Sequence, residues 1–189
     1  METGRPAELG DKELVILTQK GNREAFEVLV ERYKQKAYRI AFDFARDREE
    51  AKDLSQEAFL RAFTHLKSFD LRAGFYTWFY RILVNLCLDY CRRRGRISWE
   101  PWDEKTESRN TTNTNSSPDE EAIAKEISHR VGASLNALPS KQRTVFILRN
   151  HQGLSIQDIA KVMQTTDATV RVHLYRAIAA LRQNLTEFL

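Results

Sequence analysis

The residues best suited to recognition chemistry lie near the C-terminus, where Thr169, Arg171, Val172, His173 and Arg176 follow one another on a helical pattern. Arginine pairs with guanine edges or with phosphate, and a threonine at a helix start suits a phosphate. These residues sit ahead of or beside an apolar stripe of Val170, Leu174, Ala177, Ile178 and Leu181. One helix can therefore bury one face and present the other. With a short helix and a tight turn before it, the arrangement matches a helix-turn-helix entering a major groove.

Three other groups of residues could do chemistry. Thr77, Arg81 and Asn85 are four apart, opposite a core face of Trp78, Phe79 and Ile82, with Tyr76 and Tyr80 adding aromatic surface nearby. Rings that stack bases beside an arginine that pairs phosphates can hold an unstacked single strand, and a plain exposed helix face fits the same residues equally well. Asp53, Gln56, Glu57 and Leu60 form an acidic and apolar stripe, which suits a protein partner or solvent better than DNA. Asp53 and Glu57 could contribute to a metal-dependent nuclease site, but no third acidic or His ligand accompanies them. Cys87 and Cys91 share a helix face inside an apolar pattern; small buried side chains are the favoured reading, since no second ligand pair accompanies them. No cofactor and no metal are expected.

The elements that must position these groups are helices. Seven glycines and four prolines in 189 residues leave long stretches without a breaker. Phe26, Leu29, Val30, Tyr33, Ala37, Ile40, Ala41 and Phe44 mark one long helix. Ala51, Leu54, Ala58, Ala62 and Leu66 mark a second, and Phe75, Trp78, Phe79, Ile82, Leu83, Leu86 and Tyr90 a third, with a turn over Ser68–Gly74 between them. Helices with short connections pack as a bundle. Further on, Pro139 and Ser140 start a helix, Gly153 stops it, and Ser155 caps a short helix with Asp158 in capping-box spacing. Gln164–Thr166 forms the turn, where Thr166 or Asp167 caps the recognition helix.

Between the two helical parts the character changes. Residues 110–118 are polar and low in complexity, and residues 95–121 hold three Lys/Arg against seven Asp/Glu. Such a stretch cannot bury enough apolar surface to offset its ordering entropy. Trp99 and Trp102 near its start are unusual for a bare connector. Residues 1–94 carry eighteen basic against fifteen acidic groups, and residues 122–189 nine against four, so two basic modules flank an acidic one, a balance that suits a polyanion partner. The expected fold is all-α: two small helical domains, 11–95 and 121–189, joined by a flexible linker at 96–120. Residues 1–10 lack the apolar core of a secretory leader and no apolar run approaches membrane-spanning length, so the expected location is cytoplasmic. No dimerisation helix is evident, and a monomer is expected when free.

A helix-turn-helix alone serves repressors, activators, recombinases and polymerase specificity factors alike. Four strings narrow the choice: Gly21-Asn-Arg-Glu-Ala-Phe-Glu-Val-Leu-Val-Glu-Arg-Tyr33, Ala51-Lys-Asp-Leu-Ser-Gln-Glu-Ala-Phe59, Phe75-Tyr-Thr-Trp-Phe-Tyr-Arg-Ile-Leu-Val-Asn85, and Leu154-Ser-Ile-Gln-Asp-Ile-Ala160 followed by Thr169-Val-Arg-Val-His-Leu-Tyr-Arg-Ala177. In this order and spacing they resemble the extracytoplasmic-function (ECF) sigma factors of bacterial RNA polymerase, over about 11–185. The resemblance implies a non-enzymatic factor that binds core RNA polymerase and directs promoter-specific initiation. It implies that Asp53, Gln56, Glu57 and Leu60 lie on the helix that docks on the polymerase β′ clamp. The loop Ser68, Phe69, Asp70, Leu71, Arg72, Ala73 and Gly74 would capture a flipped base of the −10 element, with Tyr76, Thr77, Arg81 and Asn85 near the melted strand. Thr169, Arg171, Val172, His173, Tyr175 and Arg176 would read the −35 duplex. An anti-sigma partner would hold the free protein. Val172 and His173 stand where small polar residues are common in the family, and Asp167 brings a negative charge to the start of the recognition helix.

Overall fold

The computed structural model describes residues 8–94 and 130–186, leaving aside the side chains of residues 94, 185 and 186. The acidic connector, Trp99 and Trp102 lie outside the described residues. Every regular element among the described residues is helical, as the spacing of apolar side chains predicts.

The N-terminal part contains four α-helices: α1 (Asp11–Gln19), α2 (Arg23–Ala45), α3 (Arg48–His65) and α4 (Phe75–Arg94). Each start has a local cause. The Glu13 carboxylate accepts from the Gly10 N–H at 2.9 Å, Asn22 accepts from the Ala25 N–H at 3.0 Å, and Asp47 accepts from the Glu50 N–H at 2.9 Å. These bonds satisfy donors that a helix leaves without partners at its N-terminus. The sequence pattern runs α1 into the region as a whole, whereas Gly21 at φ +98° separates it from α2. The α2–α3 corner is made without glycine. Arg46 adopts the left-handed conformation at φ 53° and is itself buried.

The centre of this bundle is aromatic. Phe79 stacks on Phe59 at 4.5 Å and on Phe75 at 5.9 Å, and Tyr33 packs against Phe75 at 5.6 Å. Ring pairs in this range add about 0.5–1.5 kcal/mol each beyond the area they bury. The Tyr33 hydroxyl is bonded to Asp11. Burial first, and that bond second, raise its pKa, so it stays a neutral donor tying α1 to α2.

The C-terminal part comprises α5 through 130–137, α6 (Ser140–Phe146) continued by a wide turn over Ile147–His151, α7 (Ile156–Met163) and α8 (Asp167–Thr186). The punctuation falls where the sequence predicts. Gly153 is left-handed at φ 68°, Ser155 accepts from the Asp158 N–H at 3.1 Å, and the turn begins at left-handed Gln164. Thr166, not Asp167, supplies the cap, accepting from the Thr169 N–H at 3.2 Å.

The two parts are in direct contact. α7 packs on α4, and the turn after α6 packs on α2. A single apolar cluster runs through both: Val145, Ile147, Leu148, Ile159, Val162 and Val170 join the core of the N-terminal bundle. A separate small cluster of Leu135, Leu138, Ala177 and Leu181 holds α5 against α8. The seam has polar fastenings as well. The buried Asp43 carboxylate accepts from His151 Nδ1 at 3.0 Å and from Gln152 Nε2 at 2.9 Å, and pairs with Arg46 at 3.6 Å. Arg143 donates to Cys91 Sγ at 3.1 Å and lies 5.9 Å over the Phe44 ring.

Candidate nucleic-acid and partner surfaces

On α8, the burial of Val170, Ala177 and Leu181 turns the opposite face outward. Arg171 and Arg176 are exposed, Val172 retains 47% of its surface and Tyr175 retains 75%. Two large apolar or aromatic side chains open to solvent beside two arginines are unusual on a helix that has a core to face, and they read as a contact surface. Thr169 is half-buried and its hydroxyl meets that of Thr166 at 2.9 Å. The first turn of α8 thus offers backbone N–H groups and two hydroxyls at its start. His173 is also half-buried, with Nδ1 turned inward and without a hydrogen-bond partner.

The loop Ser68–Gly74 is built in two layers. Phe69 is buried 4.7 Å from the Trp78 ring and also lines the cavity beside the loop. Gln19 reaches across from α1 and donates to the carbonyls of Leu66 and Phe69 at 2.9 and 3.2 Å. The exposed tip closes on itself. Asp70 accepts from the Arg72 N–H at 2.9 Å and from Arg72 Nε at 2.7 Å. The Arg72 side chain first, then its N–H, hold the Asp70 carboxyl below the usual range. Ser68 is bonded to the His65 carbonyl, while Ala73 and Gly74 are exposed. Between α1 and this loop lies a cavity of about 300 Å³, lined among others by Asp11, Lys12, Leu71, Arg72, Gly74 and Tyr76. The contribution of α1 was not visible in the sequence, because Asp11 and Lys12 lie some sixty residues from the loop.

Along α4, Tyr76, Thr77 and Arg81 are half-buried and Asn85 is exposed. Tyr80 corrects the expected aromatic surface. It is fully buried, packed edge-on against Tyr33 and Tyr76 at 6.1 and 5.7 Å, because α1 and α2 cover the side of α4 from which it projects. Trp78 and Ile82, placed in the core by spacing, are half-buried at its margin. Tyr76 has an unexpected neighbour in Asp158 of α7, and burial first, then that carboxylate, raise the Tyr76 pKa.

On α3, Asp53 and Gln56 are exposed and Glu57 is half-buried, paired with Arg61 at 2.7 Å. Leu60 retains 64% of its surface and Phe63, one turn on, 43%. Phe63, which lies 4.9 Å from the Phe26 ring, is not among the residues singled out in the sequence. The i, i+3 spacing from Leu60 was the available signal. Cys87 is buried and Cys91 half-buried, and both are free thiols. Burial raises both thiols' pKa values, which agrees with small packing side chains. Among the described residues no group of three His, Cys, Asp or Glu is placed to hold a metal ion, and no helix is long and apolar enough to cross a membrane.

Comparison with known proteins matches the chain in two stretches. The family profile for sigma-70 region 2 matches residues 29–97, and that for sigma-70 region 4 matches residues 128–181. The bundle and the helix-turn-helix together therefore define a sigma-70-type transcription factor. The RNA polymerase sigma-H factor of Pseudomonas aeruginosa is 35% identical over 95% of both chains. The ECF RNA polymerase sigma factor SigW of Bacillus subtilis is 30% identical over 93% of this chain and 97% of its own. The chain belongs to the ECF sigma factors of RNA polymerase. The fold agrees with that of CnrH in complex with the cytosolic domain of CnrY (TM-score 0.71, 24% identity, 94% and 97% of the two chains). It also agrees with that of RpoE in complex with the anti-sigma factor NepR from Bartonella quintana (TM-score 0.62, 20% identity, 85% and 96%).

Proposed function

We propose that this sigma factor binds core RNA polymerase through the outer face of α3, reads a −35 duplex with α8, and captures and helps melt a −10 element with the Ser68–Gly74 loop and α4. The observation that carries this reading is the outward face of α8, where Arg171, Val172, Tyr175 and Arg176 stand clear of any core on the second helix of a helix-turn-helix. Leu60 and Phe63 beside Asp53 and Gln56 suit a protein partner, since an apolar patch rimmed by acids is repelled by phosphates and favoured at protein interfaces. The cavity between α1 and the loop is the place for an extruded base, and Arg81 and Asn85 lie further along the same helix for the strand that follows. Catalysis then belongs to the polymerase, and the chain itself is not an enzyme and works in the cytoplasm without a cofactor.

Two modules each making a small contact gain strength by being joined, because the second contact becomes intramolecular. Similar folds solved in complex with the cytosolic domain of CnrY or with the anti-sigma factor NepR support an anti-sigma partner for this chain too. The test is transcription in vitro with core polymerase over a pool of genomic promoters. The chain is expected to co-purify with core and to produce new start sites preceded by paired −35 and −10 motifs. Absence of both would remove the reading.

A further inference from the structure

The recognition helix has an apolar crown. At about 100° per residue, Val172 lies almost diametrically opposite the mean direction of Val170, Leu174, Ala177 and Leu181, the side that α8 turns to the core. Ala168, one turn before it, and Ala179, two turns after it, share that line and are exposed. Val172 itself keeps 47% of its surface. Tyr175 and Arg171 flank this ridge on one side and Arg176 on the other, all three exposed. His173 stands further round, half-buried with Nδ1 turned inward. The crown therefore offers no side-chain donor or acceptor, and the charges sit beside it.

A helix with its side chains is about 10–12 Å across and the major groove about 12 Å wide, so a crown meets the groove floor and the flanks meet its walls. On that floor the bases present donors, acceptors and one kind of apolar group, the 5-methyl of thymine. An exposed valine gains nothing from a donor or an acceptor, and covering one without replacing its water carries a cost. Against a methyl it gains by taking apolar surface of both partners out of water. Cytosine carries only hydrogen at that carbon, so the ridge can tell thymine from cytosine without a hydrogen bond. The flanking arginines suit a polyanion, which makes duplex DNA, and not an apolar protein groove, the occupant of the ridge. We propose that this factor selects its −35 duplex in part through thymine 5-methyl groups, which Val172 takes while Arg171 and Arg176 engage base edges or phosphates beside it. The proposal rests on the −35 reading given above.

The test uses the full chain bound to core polymerase. The upstream element is first selected from a randomised duplex pool. Each thymine of the selected element is then replaced singly by deoxyuridine, which removes the methyl and nothing else. For the parent, replacement at one or two positions is expected to weaken promoter binding about three- to fivefold, the worth of one buried methyl group. At the same positions 5-methylcytosine opposite guanine is expected to bind better than cytosine. Val172→Ala is expected to bind the thymine promoter about three- to fivefold more weakly and to lose less than about twofold on uracil. The side chain is exposed, so the variant is expected to keep the parent's melting temperature. A parent that binds thymine and uracil alike at every position overturns the proposal and leaves the ridge to a protein partner. A V172A variant that keeps the parent's full sensitivity to uracil also overturns it. The underlying reading fails separately: if no upstream position is enriched and Arg176→Ala initiates as the parent does, the −35 assignment falls. If an element is selected and Arg176→Ala loses it while uracil has no effect, only the methyl contact falls.

Discussion

The two halves of this molecule are held together by different means. The N-terminal bundle encloses its own core of stacked rings, with Phe79 in contact with Phe59, Phe75, Tyr33 and Tyr80. Among the described residues the C-terminal part has only Leu135, Leu138, Ala177 and Leu181 as a buried core separate from that bundle. Its other buried residues, Ile147, Leu148, Ile159, Val162 and Val170 among them, lie in the cluster that continues into the bundle. A module this small cannot bury a large fraction of its apolar surface alone. The lesson is that the larger part supports the smaller, and that opening the seam exposes more of the C-terminal part's core than of the bundle's.

Four measurements break or sharpen that contrast. The largest effect is expected from Phe79→Ala, which removes a fully buried ring from the bundle and should cost about 3–5 kcal/mol. Urea unfolding would read it, and a loss below 1 kcal/mol would mean that the rings do not carry the bundle. Ile159→Ala should cost about 2–4 kcal/mol, and hydrogen exchange should place the loss mainly in α6–α8. Equal loosening of α2 and α4 would show that the two halves share one cooperative unit. On the −35 reading proposed above, Arg176→Ala should weaken −35-dependent initiation by about 1–3 kcal/mol, roughly five- to 150-fold, with thermal stability unchanged because the side chain is exposed. The smallest effect is that of Thr166→Ala, about 1 kcal/mol from the lost cap on α8. It should appear as faster amide exchange in the first turn of α8 and leave the bundle as it was.

Much of this architecture was legible in the chain. Apolar residues at helical spacing located α2, α3, α4, α7 and α8, and Gly153, Ser155 and Thr166 marked boundaries through local hydrogen bonding that needs no tertiary information. The exposed stripes followed from the same periodicity, except where a neighbouring element covered them. Periodicity says that a face is apolar, not what meets it. Tyr80 was misplaced for that reason. Val162 shows the point from the other side: it is buried because α7 has α8 on one side and α4 on another. The seam itself was not legible. Asp43 and His151 are 108 positions apart, and nothing local to either residue identifies the other. Arg46 likewise gives no sign in sequence that it turns the chain in place of a glycine.

The Gln19 amide, bonded to the carbonyls of Leu66 and Phe69, has a consequence for engineering. It fixes the root of the Ser68–Gly74 loop from outside, while the tip has the Asp70–Arg72 bonds within itself and Leu71 packed against the core. On the −10 reading proposed above, anchorage and base reading would fall to separate residues. Exchanging residues 70–73 between related factors would then change the preferred promoter base while the root of the loop stays constant.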